Sequence, residues 1–269
     1  MATTQVNGVS LWCETQGTSG SPVILVHGSW GDHHNWDLVA PRLAATHTVV
    51  TYDRRGHSQS QRLDAQGSVH DDVADLAALI EQAGIAPANV VGNSFGAIIA
   101  LRLAAERPEL IRSLIVHEPP LVGVLSGDPT VAQILEAVTE RVSGVIELLA
   151  AGDMAAGARR FVEDLAFGPG AWDQLPPQAQ ETFIANAPTW LDESRDPDAL
   201  TIDLATLKSF DRPTLLTQGD ASPPMFKPIA QRVADAMPNA SRHTFKGAGH
   251  VPHMSHPDVY IEYVASFIS

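Results

Sequence analysis

A serine and a histidine that stand far apart in the chain could together perform nucleophilic chemistry. Ser94 is the central residue of a G-x-S-x-G pattern that begins at Gly92 and ends at Gly96. The pattern lies between an apolar segment, typical of a strand, and an amphipathic segment, typical of a helix. A nucleophilic serine at such a sharp turn needs small residues two positions away on either side, because the backbone there is strained. This setting favours an activated serine over a chance match in a chain with many glycines.

A hydroxyl is a poor nucleophile until a base removes its proton, so we expect a histidine later in the chain. His250 meets this expectation, because it lies in a loop that follows the predicted strand Arg242–Phe245. His253 and His256 come next at intervals of three residues, which raises the alternative of a metal site. Two prolines interrupt any helix that could align the three rings, and no nearby carboxylate clearly completes a site. We therefore predict that His250 is the general base, that no metal is bound and that His256 has a structural role at the start of the final helix.

Two backbone amides are expected to stabilise the negative charge that forms on an attacked carbonyl oxygen. One belongs to Phe95, which directly follows Ser94. The other is predicted from the loop after the first buried strand, His27–Gly31, in which Ser29 follows the His-Gly pair. The alternative is that this loop is a plain connecting turn. Trp30 lies next to these amides and is predicted to bind substrate as part of an apolar wall.

Two carboxylates compete to orient the histidine. Glu118 follows a predicted strand that ends at His117, and Asp220 follows the apolar run Thr214–Gln218. Both strand ends lie on the active-site side of a parallel sheet. The carboxylate of a triad fixes the imidazole tautomer and stabilises the imidazolium that forms during attack. The residues alone leave both candidates open.

The chain alternates between apolar runs and amphipathic segments, which must position these residues. The apolar runs are Pro22–His27, Thr48–Tyr52, Asn89–Val91, Ser113–Val116 and Pro213–Thr217. The amphipathic segments are Trp36–Ala45, Val69–Ala83, Phe95–Glu106 and Pro228–Met237. A run that is apolar at every position is typical of a parallel strand buried on both faces. We therefore predict parallel βαβ units in a doubly wound α/β sheet, preceded by a hairpin at Val6–Trp12 with an Asn-Gly turn.

The alternation stops between about Pro119 and Ser209. Helical stretches fill this region, at Val131–Val142, Val145–Ala150, Ala155–Leu165 and Gln178–Ala187. We predict that residues 119–209 form a helical lid over the carboxyl ends of the strands, inserted into a core formed by residues 1–118 and 210–269. The alternative is a separate helical domain.

Composition limits the partners of this chain. Its 269 residues include 17 Lys and Arg against 31 Asp and Glu, which gives a formal net charge of −14. Such a charge argues against nucleic acid and anionic membrane surfaces as partners. The single cysteine, Cys13, allows no internal disulfide and no cysteine metal site. No apolar stretch is long enough to span a bilayer and residues 1–8 do not resemble a secretory signal, so we expect a soluble, cytoplasmic protein. The sequence leaves a homodimer open.

Over nearly its full length the chain resembles α/β hydrolases, through the segments around Ser29, Ser94 and His250. The resemblance implies the α/β-hydrolase fold, with a mostly parallel doubly wound sheet and a helical lid. It also implies catalysis by a Ser-His-acid triad without a metal or an organic cofactor. In many members the acid stands three residues after a strand-end glycine. Here that position, counted from Gly219, holds Ser222, and Asp220 comes only one residue after the glycine.

The position of Glu118 is similar to that of the acid in lactonases that open the macrocyclic ester of the mycotoxin zearalenone. The segment Ser255–Val259 also looks like theirs. A lid tryptophan contacts the substrate in that group, which makes Trp190 a candidate substrate-binding residue. The chain departs from the group in its His27–Gly28 pair and in keeping Asp220. We favour Glu118 over Asp220 as the triad acid.

Together these residues predict acyl transfer to water in two steps. Ser94 attacks the carbonyl of a small ester or lactone while His250 takes its proton, and water then releases the acyl group. The substrate is expected to be uncharged and fairly hydrophobic. The same triad would also serve a C–C bond hydrolase or a cofactor-free haloperoxidase. A non-catalytic ligand receptor on the same scaffold is the alternative from another class.

Overall fold

The computed structural model describes residues 2–269. The strands in this part of the chain form one sheet of eight. The strands are β1 (Ala2–Val6), β2 (Val9–Gln16), β3 (Pro22–Val26), β4 (Thr48–Tyr52), β5 (Ala88–Asn93), β6 (Ile111–His117), β7 (Thr214–Gly219) and β8 (Ala240–Phe245). Their order across the sheet is β1-β2-β4-β3-β5-β6-β7-β8. Strand β2 pairs antiparallel with β1 and β4, whereas all other neighbours are parallel. The predicted, mostly parallel sheet is confirmed.

The α-helices within residues 2–269 cover both faces of this sheet. They are α1 (Ala40–Leu43), α2 (Val69–Gln82), α3 (Phe95–Glu106), α4 (Ala132–Ala150), α5 (Met154–Phe161), α6 (Pro177–Arg195), α7 (Phe226–Ala236), α8 (Pro252–Ser255) and α9 (Pro257–Ile268). All of them lack the combination of length and apolar composition that a bilayer-spanning helix requires. Helices α2, α3 and α7 pack on one face, and α1 and α9 pack on the other.

The inner strands are apolar along their whole length because both of their faces are buried. In β3, Ile24 and Val26 belong to the cluster beneath α2 and α3, whereas Val23 and Leu25 belong to the cluster beneath α9. This division follows from the two-residue period of a strand. The continuous apolar runs therefore reflect a doubly wound sheet.

The chain opens with the predicted hairpin, in which Val6 of β1 is paired with Val9 of β2. Asn7 and Gly8 join the two strands with φ angles of 43° and 80°. Both angles lie in the left-handed region that a type I′ turn needs and that asparagine and glycine tolerate best. The hairpin prediction is confirmed, and its second strand is longer than predicted.

The predicted helix at Trp36–Ala45 is wrong. The chain here forms a 3₁₀ turn at His33–Trp36 and the single helical turn α1. Pro41 stands in the first turn of α1, where a proline cannot donate a backbone hydrogen bond, so a continuous helix through this segment would be broken. Asp32 instead caps the 3₁₀ turn by accepting a hydrogen bond from the amide of His34.

Residues 119–209, hereafter the helical insert, connect β6 to β7 and form helices and turns without a strand. The two separate helices predicted at Val131–Val142 and Val145–Ala150 are one helix, α4. Gly144, which lies between the two predicted segments, packs against the guanidinium of Arg160. Because Gly144 has no side chain, α5 can approach the middle of α4 closely.

Helix α6 is also longer than its predicted segment, Gln178–Ala187. It continues through Pro188 and ends at Arg195. A proline usually ends a helix, which is why the pattern predicted an earlier stop. Contacts with the core stabilise the added turns, and one of them is the hydrogen bond from Thr189 Oγ1 to the Gly56 carbonyl (2.8 Å).

The loops that leave one edge of the sheet carry the predicted site residues. Strands β3, β5, β6, β7 and β8 are parallel, so their carboxyl ends meet at this edge. The residues in these loops are Ser29, Ser94, Glu118, Asp220 and His250. Helix α6 of the insert packs over the same edge, because Asn186 Nδ2 donates to the carbonyls of Trp30 and Gly31 at 3.0 Å each.

Candidate active site

Ser94 stands at the turn between β5 and α3 in a strained backbone conformation. Its φ of 56° and ψ of −122° lie outside the regions that L-residues normally occupy. A hydrogen bond from the Ser94 amide to the His117 carbonyl (2.9 Å) holds the turn. A Cβ atom on Gly92 would lie 2.5 Å from the Gly96 carbonyl oxygen, and one on Gly96 would collide with the Val26 carbonyl. The turn therefore requires both glycines of the pattern.

His250 lies in the loop after β8 and is hydrogen-bonded to Glu118. The distance from His250 Nδ1 to Glu118 Oε2 is 2.7 Å. The other carboxylate oxygen of Glu118 accepts a hydrogen bond from the Gly219 amide, also at 2.7 Å. Glu118 is fully buried, whereas the His250 side chain is 19% exposed. Because Nδ1 faces the carboxylate, Nε2 is the ring nitrogen that is free to accept a proton.

Glu118 is ionised at neutral pH in spite of its burial. Burial alone favours the neutral acid, but the hydrogen bond with His250 is the main cause that outweighs it, so the pKa of Glu118 is below its usual value. His117 itself is neutral, because burial lowers its pKa to about 4. Its Nδ1 is hydrogen-bonded to Thr217 Oγ1 at 2.9 Å. The charge of Glu118 is therefore available to stabilise a protonated His250.

Asp220 lies elsewhere. Its carboxylate is exposed and accepts a hydrogen bond from the Gly247 amide at 2.6 Å. Among residues 2–269, the carboxylate that is hydrogen-bonded to His250 is that of Glu118. Ser222, at the position where many α/β hydrolases carry their acid, lies beside Glu118 and helps to lower the pKa of that carboxyl. The geometry agrees with the choice of Glu118, and its catalytic role remains a proposal.

Two contacts hold His250 and its loop, and one of them comes from the turn of Ser94. Asn93 Nδ2, directly before the serine, donates to the His250 carbonyl at 3.0 Å. The ring of Phe226 stacks on the imidazole, with centroids 4.8 Å apart and planes inclined by 18°. Within the described residues no hydrogen bond joins Ser94 Oγ to His250. Such bonds are often long in ligand-free enzymes and tighten when substrate binds.

The loop after β3 passes directly beside Ser94. A Cβ atom on Gly28 would lie 2.8 Å from the Cβ of Ser94, so only glycine fits there. The next residue, Ser29, has its carbonyl hydrogen-bonded to the Gly31 amide at 2.8 Å. Phe95 is the first residue of α3, and the first amides of a helix have no acceptor within it. The two predicted oxyanion-hole amides thus belong to residues on either side of the nucleophile.

The loop after β4 braces this arrangement. His27 is fully buried and accepts a hydrogen bond at Nε2 from the Arg54 amide (2.9 Å), while its Nδ1 faces the Gly28 carbonyl (2.8 Å). Burial lowers the pKa of His27 to about 3, so the ring stays neutral. The His-Gly pair thus serves two purposes: the histidine fixes the loop, and the glycine makes room for Ser94.

The two candidate substrate-binding tryptophans pack in one aromatic cluster. Trp30 is fully buried, and its ring centroid lies 5.2 Å from that of Trp190 and 4.6 Å from that of Phe161. Trp190 is 8% exposed. The cluster joins the loop after β3 to the helical insert. Both tryptophans therefore have a packing role, and their contact with substrate remains a prediction.

The three histidines that raised the alternative of a metal site do not share one. His253 is fully buried against the ring of Trp36, with centroids 4.6 Å apart. His256 precedes α9 and is hydrogen-bonded to the Ser255 hydroxyl at 2.9 Å, which agrees with its predicted structural role. Within residues 2–269, two groups of side chains have metal-ligand spacing. They are Asp32–His33–His34 and the set His117, Glu118 and His250.

Sequence reasoning missed one set of charged residues at the site. Arg54 is buried between Asp72 of α2 and Glu193 of α6, and Glu193 also accepts a hydrogen bond from the Ser29 hydroxyl. The one available signal was an arginine two residues after the end of a buried strand, because a buried arginine requires carboxylate partners.

Comparison with known proteins identifies the family. The model of a family described as "Alpha/beta hydrolase family" matches residues 23–263. A crystal structure of an alpha/beta hydrolase from Sphaerobacter thermophilus DSM 20745 is 31% identical, covers 100% of both chains and has a TM-score of 0.81. The chain therefore belongs to the alpha/beta hydrolase family, and the predicted α/β-hydrolase fold is confirmed.

The curated relatives are named for different activities, hydrolases among them, and leave the substrate open. The uncharacterized hydrolase YraK of Bacillus subtilis (strain 168) is 40% identical over 130 residues, and the match spans 47% of each chain, about half the length of that relative. The 2-hydroxymuconate semialdehyde hydrolase of Pseudomonas sp. (strain CF600) is 28% identical over 258 residues, 93% of this chain and 88% of the relative. These comparisons do not confirm the resemblance to zearalenone lactonases.

Proposed function

We propose that this alpha/beta hydrolase cleaves a carboxylic ester or lactone through an acyl-enzyme on Ser94. His250 is the general base and Glu118 is the carboxylate that orients it. The observation that carries the proposal is the 2.7 Å hydrogen bond between His250 Nδ1 and the fully buried Glu118. It directs Nε2 of the imidazole away from the carboxylate, and the loop that holds the ring is tied to the residue before the nucleophile.

In the first step, Ser94 Oγ forms a bond to the carbonyl carbon while His250 Nε2 takes the hydroxyl proton. The carbonyl electron pair moves onto oxygen, and the amides of Ser29 and Phe95 donate hydrogen bonds to this oxyanion. The intermediate collapses when the bond to the leaving oxygen breaks, and His250 returns the proton to that oxygen. An alcohol leaves from an ester, whereas in a lactone the alcohol stays attached to the acyl group.

In the second step, water attacks the acyl-enzyme while His250 takes one of its protons. The same amides stabilise the second oxyanion, and Ser94 leaves with the proton returned from the imidazolium. The negative charge of Glu118 favours the imidazolium in both steps, because it is buried and only 2.7 Å from Nδ1. His250 therefore acts first as a base and then as an acid in each of the two steps.

The surroundings of the site favour an uncharged acyl or alcohol group. Phe226 stacks on His250, and the aromatic cluster around Trp30 and Trp190 lies where the insert meets the loop of Ser29. An apolar substrate group that packs against these rings gains free energy because its own apolar area leaves water. We propose that the helical insert acts as the cover of this site, since α6 packs over the carboxyl ends of the strands.

A panel of p-nitrophenyl esters and lactones, zearalenone included, tests this function. We expect turnover of at least one ester or lactone by the wild-type chain and loss of that turnover in Ser94→Ala. Asp220→Asn, which changes a carboxylate outside the proposed triad, serves as the matched control and should retain most of the activity. Turnover that survives in Ser94→Ala would contradict the acyl-enzyme.

A C–C bond hydrolase on the same triad is the second candidate. The observation that favours it is the relative named for 2-hydroxymuconate semialdehyde, which is similar over 93% of this chain. That compound has no ester group, so its hydrolysis requires a carbon leaving group. Turnover of this semialdehyde, together with failure on all esters and lactones of the panel, would select the second candidate.

A further inference from the structure

A buried ionic network lies behind the two residues that carry the proposed oxyanion amides. The guanidinium of Arg54 donates from Nε and Nη2 to Asp72 at 3.1 and 3.2 Å, and from Nη2 to Glu193 Oε1 at 2.7 Å. Arg54 is only 1% exposed, and the two carboxylates are nearly as buried. Glu193 belongs to α6 of the insert, whereas the other two residues belong to the core.

The network contacts Ser29 through its side chain. The second oxygen of Glu193 accepts a hydrogen bond from the Ser29 hydroxyl at 2.5 Å. The carbonyl of Ser29 is held separately by the Gly31 amide at 2.8 Å. The Gly28 carbonyl, which shares a peptide with the Ser29 amide, accepts a hydrogen bond from His27 Nδ1 at 2.8 Å. Because this carbonyl and the Ser29 hydroxyl are both held, the peptide that carries the Ser29 amide has little freedom to rotate. The preceding residue, Gly28, lies against Ser94, so this amide is close to the nucleophile.

The same cation also contacts the other side of the site. The central guanidinium carbon of Arg54 lies 4.7 Å from the ring centroid of Phe95, a distance typical of a cation–π contact. Phe95 carries the second proposed oxyanion amide and is 2% exposed. Arg54 therefore packs on one oxyanion residue directly and reaches the other through Glu193.

The charges of the network do not balance, because one cation faces two carboxylates. Burial raises the pKa of Glu193, while Arg54 and the Ser29 hydroxyl oppose that rise. Burial likewise raises the pKa of Asp72 against the attraction of Arg54. A buried carboxylate needs every hydrogen bond it can accept, so the bond from the Ser29 hydroxyl stabilises Glu193 as much as it orients Ser29.

We propose that Glu193 is a positioning residue for the oxyanion hole: by accepting the hydrogen bond of the Ser29 hydroxyl, it aims the Ser29 amide at the oxygen of the tetrahedral intermediate. The inference rests on the proposed acyl-transfer function. It gives the helical insert a direct part in catalysis, because α6 supplies the residue that holds the oxyanion loop. An oxyanion hole works only when its donors are fixed before the charge appears.

The test uses a fluorophosphonate probe, because its phosphoryl oxygen occupies the oxyanion hole without any knowledge of the natural ester. The second-order rate constant for modification of Ser94 is measured by intact-protein mass spectrometry for Ser29→Ala, Glu193→Ala, Glu193→Gln and the double alanine variant. Asp192→Asn is the matched control, because Asp192 precedes Glu193 on α6 but pairs with Arg62 at 2.7 Å. Thermal unfolding of each variant is recorded in parallel.

We expect Ser29→Ala and Glu193→Ala each to slow modification by about 10- to 100-fold, less than the loss of a whole oxyanion donor. The double variant should be no slower than the slower single variant, since both changes break the same hydrogen bond. Glu193→Gln keeps an acceptor and should recover part of the rate, and Asp192→Asn should match the wild type. Ser29→Ala leaves the buried charges intact, so it reports on the hydrogen bond even where Glu193→Ala fails to fold.

Two results would overturn the inference. The first is a normal rate of modification in folded Ser29→Ala or Glu193→Ala, whatever the change in melting temperature. The second is a double variant whose loss is the product of the two single losses, which would mean that the residues act independently. If the wild-type chain itself is not modified, the proposed function fails and the inference fails with it.

Discussion

Glu118 is charged although its side chain is fully buried, and the contacts of its carboxylate explain why this charge is retained. Its two oxygens accept hydrogen bonds from His250 Nδ1 and the Gly219 amide. An isolated buried carboxylate would be costly, so the structure retains it only with both partners in place. These two hydrogen bonds hold the carboxylate against the imidazole, as the proposed triad requires.

We predict that Glu118→Gln lowers kcat by about 10⁴-fold, as expected when the wrong imidazole tautomer faces the nucleophile. The amide can donate to Nδ1 and so leaves the proton on Nε2, where the base is needed. Steady-state kinetics on the best ester or lactone measures the effect. Asp220→Asn is the control and should be milder, because Asp220 bonds to the Gly247 amide and not to the imidazole. The reverse order of the two effects would assign the acid to Asp220.

The lowered pKa of Glu118 should also affect how the stability of the folded protein depends on pH. The pKa of Glu118 is lowered in the folded state, so its ionised form stabilises the fold above the unfolded pKa of about 4.3. That contribution is lost as the pH falls through the lower folded pKa. We therefore expect the wild type to be more stable than Glu118→Gln near neutral pH and the difference to shrink below about pH 4. Urea unfolding across this pH range measures it, and a difference that grows on acidification would contradict the lowered pKa.

Local sequence patterns were sufficient to predict some residues of the candidate site and insufficient to predict others. Ser94 and His250 could be predicted because a strained turn demands glycines and because a base must follow on a later loop. Glu118 could be proposed from its place after a strand. Glu193 could not, because its contact with Ser29 depends on how a helix of the insert docks, and no short-range pattern encodes that. Reactive residues can therefore be predicted from the sequence more readily than the residues that hold them in position.

At the scale of elements, strands were predicted better than helices of the insert. An inner parallel strand is apolar on both faces, so a run such as Leu25 and its neighbours has one simple interpretation. Gly144 and Pro188 are local signals for a helix end, yet both lie within helices. The reason is tertiary: Gly144 accommodates Arg160, and the turns after Pro188 bond to the core. Tertiary packing therefore outweighs the low helix propensity of these two residues.

We predict that Trp30→Ala destabilises the fold by about 3–5 kcal/mol, because a fully buried aromatic ring leaves a cavity between the loop after β3 and the insert. Urea unfolding monitored by circular dichroism gives the value. Phe167→Ala is the matched control in the insert, and its loss should be much smaller because Phe167 is 43% exposed. A large rise in KM with normal stability would instead assign Trp30 to substrate binding alone.

At the scale of the whole molecule, the parallel sheet explains how distant residues meet. Ser94, Glu118 and His250 follow β5, β6 and β8, and the carboxyl ends of these strands lie along one edge. Helix α6 closes over that edge from a different part of the chain. The parallel, doubly wound sheet could be predicted from the alternation of elements, whereas the docking of the insert could not. The site is therefore assembled from core and insert together.

The most direct test of the central claim is to locate the covalent adduct formed with a fluorophosphonate. Intact-mass analysis followed by peptide mapping identifies the modified residue. Our account predicts one adduct per chain, on Ser94, absent in Ser94→Ala and formed far more slowly in His250→Gln. An unmodified wild-type chain, an adduct on another residue, or an unchanged rate in His250→Gln would contradict it.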